Sequence, residues 1–202
     1  MKYLVMFIVA LLPPLAMAAA QPVEIPLNQH LSAVDYFRDG RQSGCGLRAT
    51  AESHDSVWLN VLITVFLKPS GVTLGVAKVV ARKAHIGSAG DESGQGITFS
   101  SIGKIQQAWI KAESGGQPTV YRNGQSSHSD GYMTPMEFAE TTRLLAAIAQ
   151  ENFRVGISLD EEQPDQVFEF NQRPDQAEIN KLSACMSKLR NEITADQRRQ
   201  VF

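Results

Sequence analysis

The sequence predicts an α+β protein, built from a mainly antiparallel β-sheet or small β-sandwich and two amphipathic helices. Between residues 31 and 121, segments with alternating apolar residues or many β-branched and aromatic residues recur, separated by turn-rich stretches, as in β-strands. At about 134–150 and about 175–193, apolar residues recur every three or four positions, as in amphipathic helices. Strands and helices that share one core are typical of the α+β class.

The N-terminal segment, residues 1–20, predicts a secretory signal peptide. Lys2 precedes an apolar run from Tyr3 to Leu12, and small residues suited to signal peptidase follow. The run is too short to span a bilayer, which takes about 20 residues. We therefore expect a periplasmic or extracellular protein whose mature chain, residues 21–202, is one globular domain without a membrane span.

The strongest strand prediction is VWLNVLITVFL, residues 57–67, where β-branched and aromatic residues dominate. Both of its faces are largely apolar, so we expect a central strand that is covered on both sides. A turn at 68–71 and a second strand at 72–82 would complete a hairpin.

Other segments of the chain predict shorter strands. Residues 31–38 fit a short strand or a helical turn. Alternation predicts further strands at 47–51, 97–102, 105–112, 120–121, 153–159 and 166–170. The glycine-rich segment 87–96 and the polar segment 114–130 are expected to be loops around these strands.

Each predicted helix begins with a capping signature. Thr134 and Glu137 have the spacing of a capping box, with a proline in the first turn. Asp175 and Glu178 repeat the spacing at the last helix, whose apolar stripe includes or borders Cys185.

The chain has two cysteines, Cys45 and Cys185. An exported protein meets an oxidising environment, and two cysteines allow one intramolecular pairing. We therefore predict a Cys45–Cys185 disulfide rather than a reactive thiol. In this interpretation Gly44 and Gly46 let the backbone around Cys45 approach the last helix.

A formal net charge of −2 and the scarcity of basic clusters argue against a nucleic-acid partner. The four histidines are scattered and no zinc-type spacing occurs, so no metal site and no cofactor are predicted.

Two weak candidate sites stand out. His128 and Asp130 lie in SSHSDG, where a hydrolase could use His128 as a base with Asp130 or a nearby serine. The alternative is a solvated turn, and no G-x-S-x-G elbow occurs. Trp109 beside Tyr121 could bind a glycan or small ligand if the indole is exposed.

No assembled catalytic motif is present in the sequence, so enzyme activity is uncertain and the non-catalytic alternative is favoured. The resulting hypothesis is an exported envelope protein that binds another envelope or secreted protein. An accessory subunit of a secretion or conjugation apparatus fits this description, and so does an inhibitor or immunity protein. A periplasmic hydrolase and a small-ligand or glycan-binding module remain as alternatives, and the oligomeric state is undetermined.

Overall fold

The computed structural model describes residues 23–68, 70–86, 97–114, 119–121, 130–159 and 165–200. The predicted signal peptide and His128 lie outside these ranges. Two sheets and two helices make up the described part of the chain, in agreement with the α+β prediction. In chain order the elements are β1 Val23–Glu24, β2 Leu27–Arg38, β3 Arg41–Glu52, β4 Val57–Leu67, β5 Thr73–Ile86, β6 Ile97–Ser101, β7 Gln107–Ala112, β8 Thr119–Tyr121, β9 Gly131–Met136, α1 Phe138–Ile148, β10 Phe153–Ser158, β11 Gln166–Phe170 and α2 Gln176–Gln200.

The larger sheet has six strands. Its order is β2-β3-β4-β5-β6, and β9 pairs with the first half of β5 while β6 pairs with the second half. The β2–β3 hairpin turns at Asp39-Gly40. Both residues have positive φ, as a two-residue type I′ turn requires. β4 lies between β3 and β5 along its whole length, as the predicted central strand should.

The smaller sheet has five strands in the order β1-β11-β10-β7-β8. Its pairs are antiparallel except for the parallel contact between β1 and β11. The amide of Gln29 in β2 joins the two sheets, because its Nε2 donates to the carbonyl of Glu169 at 3.5 Å and its Oε1 accepts from the backbone N–H of Asn171 at 2.9 Å.

Helix α1 begins at Phe138 with Glu137 at the N-cap, three residues later than the Thr134 cap that the signature predicts. Residues 134–136 belong instead to β9, where Thr134 pairs with Ala77 of β5. Glu137 occupies the N-cap position with extended backbone and makes no side-chain capping bond. Pairing with β5 gives the 134–136 backbone ladder hydrogen bonds, except at Pro135, which has no N–H to donate. This tertiary pairing prevails over the local helix signal.

Helix α2 begins where the sequence predicts. The Asp175 carboxylate accepts a hydrogen bond from the backbone N–H of Glu178 at 2.9 Å, which satisfies one donor of the first turn. The helix runs to Gln200, beyond the predicted end at about 193. Neither described helix has the length and apolar character needed to cross a lipid bilayer.

One hydrophobic core joins the two sheets and both helices. In the large sheet the core side chains are the odd-numbered residues of β3, β4 and β5, because successive strand residues point to opposite faces. We call this side the inner face; it includes Leu47, Leu59, Val61, Ile63, Val65 and Val79. Helix α1 contacts β4, β5 and β7, and α2 contacts β2 and β3.

Candidate functional site

The predicted disulfide is present between Cys45 and Cys185, whose Cα atoms are 5.8 Å apart. Both cysteines are buried, and Cys45 belongs to the inner face. The Gln42 amide donates to the sulfur of Cys185 at 3.0 Å and to the carbonyl of Gly44 at 2.9 Å. The disulfide therefore attaches α2 to the inner face, and its buried surroundings suit a structural role.

Asp130, proposed as part of a hydrolase, lies buried at the start of β9. Its carboxylate forms a salt bridge with the Nε of Arg82 in β5, and its carbonyl accepts from the backbone N–H of Ala81 at 3.0 Å. These bonds tie the start of β9 to β5. The predicted partner His128 lies outside the described residues, so the hydrolase hypothesis stays a prediction.

Trp109, proposed as a ligand-stacking residue, lies on the outer side of the small sheet. Its ring packs over Gly156 of the neighbouring strand, where a Cβ would lie 2.0 Å from the indole. The indole N–H donates to the Asp165 carboxylate at 2.6 Å. The ring is half-buried and its one donor is used within the protein. The side chain of the other proposed stacking residue, Tyr121, is outside the described part.

A wide cleft of about 1190 Å³ lies between the ends of the two sheets. On one side the backbone N–H of His54 donates to the Glu24 carboxylate at 2.6 Å, and the His54 ring Nδ1 lies 3.2 Å from the same oxygen. The buried Ser53 hydroxyl accepts from the backbone N–H groups of Asp55 and Val57. These bonds shape the β3–β4 turn and join it to β1. Within the described ranges, no group of three His, Cys, Asp or Glu residues could hold a metal ion.

The large sheet has a second side, formed by the even-numbered residues of its central strands. Cross-strand partners share a face, so the register places these residues together. We call this surface the open face; its main apolar residues are Val34, Tyr36, Leu62, Phe66, Val76 and Met133. They are half-buried or exposed, whereas the odd-numbered neighbours of Leu62, Phe66 and Val76 are buried.

The elements that cover the large sheet lie on its other side. The Cβ that Gly75 lacks would strike the Thr141 side chain of α1, so this glycine lets α1 approach the inner face. The Cys45–Cys185 bond places α2 on the inner face as well. None of the described elements packs across the open face. The expectation that 57–67 is covered on both sides is therefore wrong for the part of the chain that the structure describes.

The glycines around Cys45 serve the open face. A Cβ on Gly44 would lie 2.6 Å from the Phe66 ring, and one on Gly46 would lie 2.1 Å from the carbonyl oxygen of Ile63. The space above Gly44 is filled by Tyr36 and Phe66, whose ring centroids are 5.0 Å apart. Gly44 thus makes room for the aromatic pair, and Gly46 makes room for the backbone of β4 at Ile63 and Thr64. Neither missing Cβ faces α2, so the interpretation that these glycines admit the last helix is wrong.

The centre of the open face contains an unpaired hydroxyl. Thr64 is 0% exposed beneath its neighbours, and its Oγ1 has no hydrogen-bond partner among the described residues. A buried hydroxyl without a partner destabilises a fold by about 1–3 kcal/mol. An apolar residue of similar size at position 64 would avoid that cost.

Apolar side chains continue toward both margins of this surface. Met133 of β9 is 45% exposed, and Phe99 of β6 is 46% exposed. The Phe99 ring packs against Trp58 with centroids 5.4 Å apart, and both rings keep solvent-accessible surface. The aromatic pair Tyr36–Phe66 marks one end of the face and the pair Trp58–Phe99 marks the other.

The sequence contains a pattern that indicates this surface, although the same pattern also led to the expectation that β4 is covered on both sides. In β4 and β5 the even-numbered residues Leu62, Phe66 and Val76 are apolar although they do not lie on the buried side. Arg48 and Lys78 interrupt that apolar set. A charged residue on each flanking strand indicates a face that meets water or a polar partner.

No family model matches this chain, and neither a curated protein nor a solved structure does.

Proposed function

We propose that this chain is a non-catalytic exported protein that binds another envelope or secreted protein through the open face. The single observation that carries the proposal is the apolar, aromatic side of the large sheet on which no described element packs. An apolar sheet face is normally covered by a second layer, and large exposed apolar patches mark interaction sites. A partner protein would supply the missing layer.

The shape of the surface favours a protein over a small molecule. Five strands at about 4.8 Å spacing give a surface roughly 20 Å wide, and the two described clefts are lined by other residues. Small ligands prefer concave sites that enclose most of their surface. Aromatic side chains at both ends of the face are suited to protein interfaces, where such residues are enriched.

The disulfide supports the proposed location. Stable disulfides form in oxidising compartments such as the periplasm and the extracellular space. The apolar N-terminal run suits export to either place. Within this proposal the chain acts as an accessory subunit of a secretion or conjugation apparatus, or as an inhibitor or immunity protein. Proteins of these classes act by binding another protein and need no catalytic site.

The experiment is site-specific photo-crosslinking in the native cells. A photoreactive residue replaces Leu62 or Met133 on the open face, and the matched control replaces Lys111 on the outer side of the small sheet. We expect one adduct of defined mass from both open-face positions and none from position 111. The adduct should disappear when Val76→Asp is added to the Leu62 variant. Equal adducts at all three positions, or none at 62 and 133, would reject the proposal.

A further inference from the structure

The open face carries two basic residues in its centre. Arg48 of β3 pairs with Leu62 of β4, and Leu62 pairs with Lys78 of β5, so the three residues form one row across the sheet. With about 4.8 Å between strands, Arg48 and Lys78 stand roughly 10 Å apart with Leu62 between them. Arg48 is exposed, and Lys78 is half-buried with its aliphatic stem beside apolar neighbours.

Neither of these charges is balanced within the described ranges. No carboxylate lies within salt-bridge distance of Arg48 or Lys78 there, although the Arg82 charge is paired with Asp130. Among the outward positions of β2–β5 and β9, the one carboxylate is Glu52, which accepts a hydrogen bond from Asn28 at 3.3 Å. The chain as a whole has a formal charge of −2, so a positive row on its apolar surface is a local feature.

We infer that the partner bound by the open face presents an apolar surface with acidic side chains, whose carboxylates meet Arg48 and Lys78 while apolar residues cover Leu62 and Phe66. This inference rests on the proposed function and adds the chemistry of the partner. Complementary charge selects a partner and speeds association, and like charges placed together are unfavourable. A partner that leaves both cations buried without carboxylates would be penalised by their lost hydration.

A second copy of this chain is a poor occupant. In a symmetric dimer formed through the open faces, each partner would bring two further cations and the hydrogen-bonded Glu52. The charges would then repel rather than complement each other.

An anionic membrane would also offer negative charge, but the surface suits it less. Interfacial membrane binding requires apolar side chains that enter the lipid by about 5–10 Å. The apolar residues in the middle of the open face are half-buried between their neighbours, which leaves little of each side chain to enter lipid. A broad sheet face of half-buried side chains is better matched by a packed protein layer.

The β2 edge of the sheet is also a poor place for a partner to add a β-strand. The backbone N–H of Ala33 on this outermost strand donates to the Glu178 carboxylate of α2 at 2.5 Å. A strand that added to this edge would have to displace that bond. Docking by side chains onto the face requires no such displacement.

The test uses the photoreactive residue at position 62, with the full chain in native cells, and identifies the crosslinked segment by mass spectrometry. We expect a protein segment in which Asp and Glu outnumber Lys and Arg and which contains apolar residues. The double variant Arg48→Glu/Lys78→Glu should lower the adduct yield at least tenfold. The control Arg154→Glu, which alters the small sheet, should leave the yield unchanged.

The other results separate this inference from the proposed function. A basic or uncharged segment, or an adduct that survives the double charge reversal, overturns the acidic partner and leaves protein binding intact. Absence of any protein adduct at position 62 rejects both. A crosslinked dimer of this chain overturns the inference, and so does binding of purified protein to vesicles of phosphatidylglycerol with no protein adduct in cells. Circular dichroism and thermal melting of the double variant verify that it folds.

Discussion

The two faces of the central strand β4 differ in what they touch. Leu59 points to the inner face, is 0% exposed and packs in the core with both helices and the small sheet. Leu62, three residues later, points to the open face and remains half-exposed beside Arg48 and Lys78. The residue type and strand are the same, so the difference lies in the surroundings. An apolar side chain in a strand can therefore belong either to the core or to the opposite, solvent-accessible face of the same sheet.

Removal of the disulfide, which lies on the inner side of the sheet, should change the free energy of unfolding the most. Replacing Cys45 and Cys185 by alanine releases α2 and a loop with a sequence separation of 140 residues. We expect the free energy of unfolding to fall by about 2–5 kcal/mol, since the cross-link restricts the unfolded chain. Urea unfolding followed by circular dichroism measures this. Wild-type protein unfolded with a reductant serves as the control, and a loss below about 1 kcal/mol would show that α2 holds its place without the bond.

The two leucines of β4 allow the comparison to be measured directly. Leu59→Ala should lower the free energy of unfolding by about 2–5 kcal/mol, because it leaves a cavity in a filled core. Leu62→Ala should lower it by only about 1 kcal/mol, because its side chain already meets solvent. Parallel urea titrations give both values. Equal losses would mean that Leu62 is covered as fully as Leu59.

Two buried threonines test whether the Thr64 hydroxyl lacks a hydrogen-bond partner. Thr64→Val removes a hydroxyl without a described partner and should raise the free energy of unfolding by about 1 kcal/mol. Thr141→Val is the matched control, because that hydroxyl donates to the carbonyl of Glu137 at 2.8 Å. It should lower stability by about 1 kcal/mol. Thermal melting decides this, and a loss of stability in Thr64→Val would show that its hydroxyl has a partner.

A surface site away from both faces should give the smallest effect. Hydrogen bonds from the Ser114 hydroxyl and backbone N–H hold the pKa of Glu151 below its usual value. A lowered carboxylate pKa stabilises the fold above the unfolded pKa, and this contribution is lost as pH falls through the folded pKa. An NMR titration should show the Glu151 pKa rising toward its usual value in Ser114→Ala. An unchanged pKa would contradict the assigned cause.

The sequence predicted those parts of the fold that local pattern determines. The central strand follows from the alternation and β-branched residues of 57–67, and the start of α2 follows from the Asp175 capping pattern. The start of α1 was predicted incorrectly because β9 pairs with β5, about 55 residues away, and no local pattern records that pairing. The Asp39-Gly40 pair is a common sequence for a two-residue hairpin turn, and it indicates that 31–38 is the first strand of a hairpin rather than a helical turn.

The candidate site could not be predicted from the sequence for a similar reason. The open face consists of residues from all six strands of the large sheet, and register alone brings Tyr36, Leu62 and Met133 to one surface. Apolar residues on the open side of β4 looked like a second buried side, because a strand pattern does not reveal what covers it. The disulfide could be predicted from the sequence, because two cysteines leave one possible pairing.

The most direct test of the difference between the two faces is the solvent accessibility of the Leu59 and Leu62 methyl groups in the purified, partner-free protein. A soluble paramagnetic agent enhances the NMR relaxation of methyl groups that it can approach. We predict strong enhancement for Leu62 and little for Leu59, because one lies on the open face and the other in the core. Equal protection of both leucines would contradict the account, since it would show that another part of the chain already covers the open face.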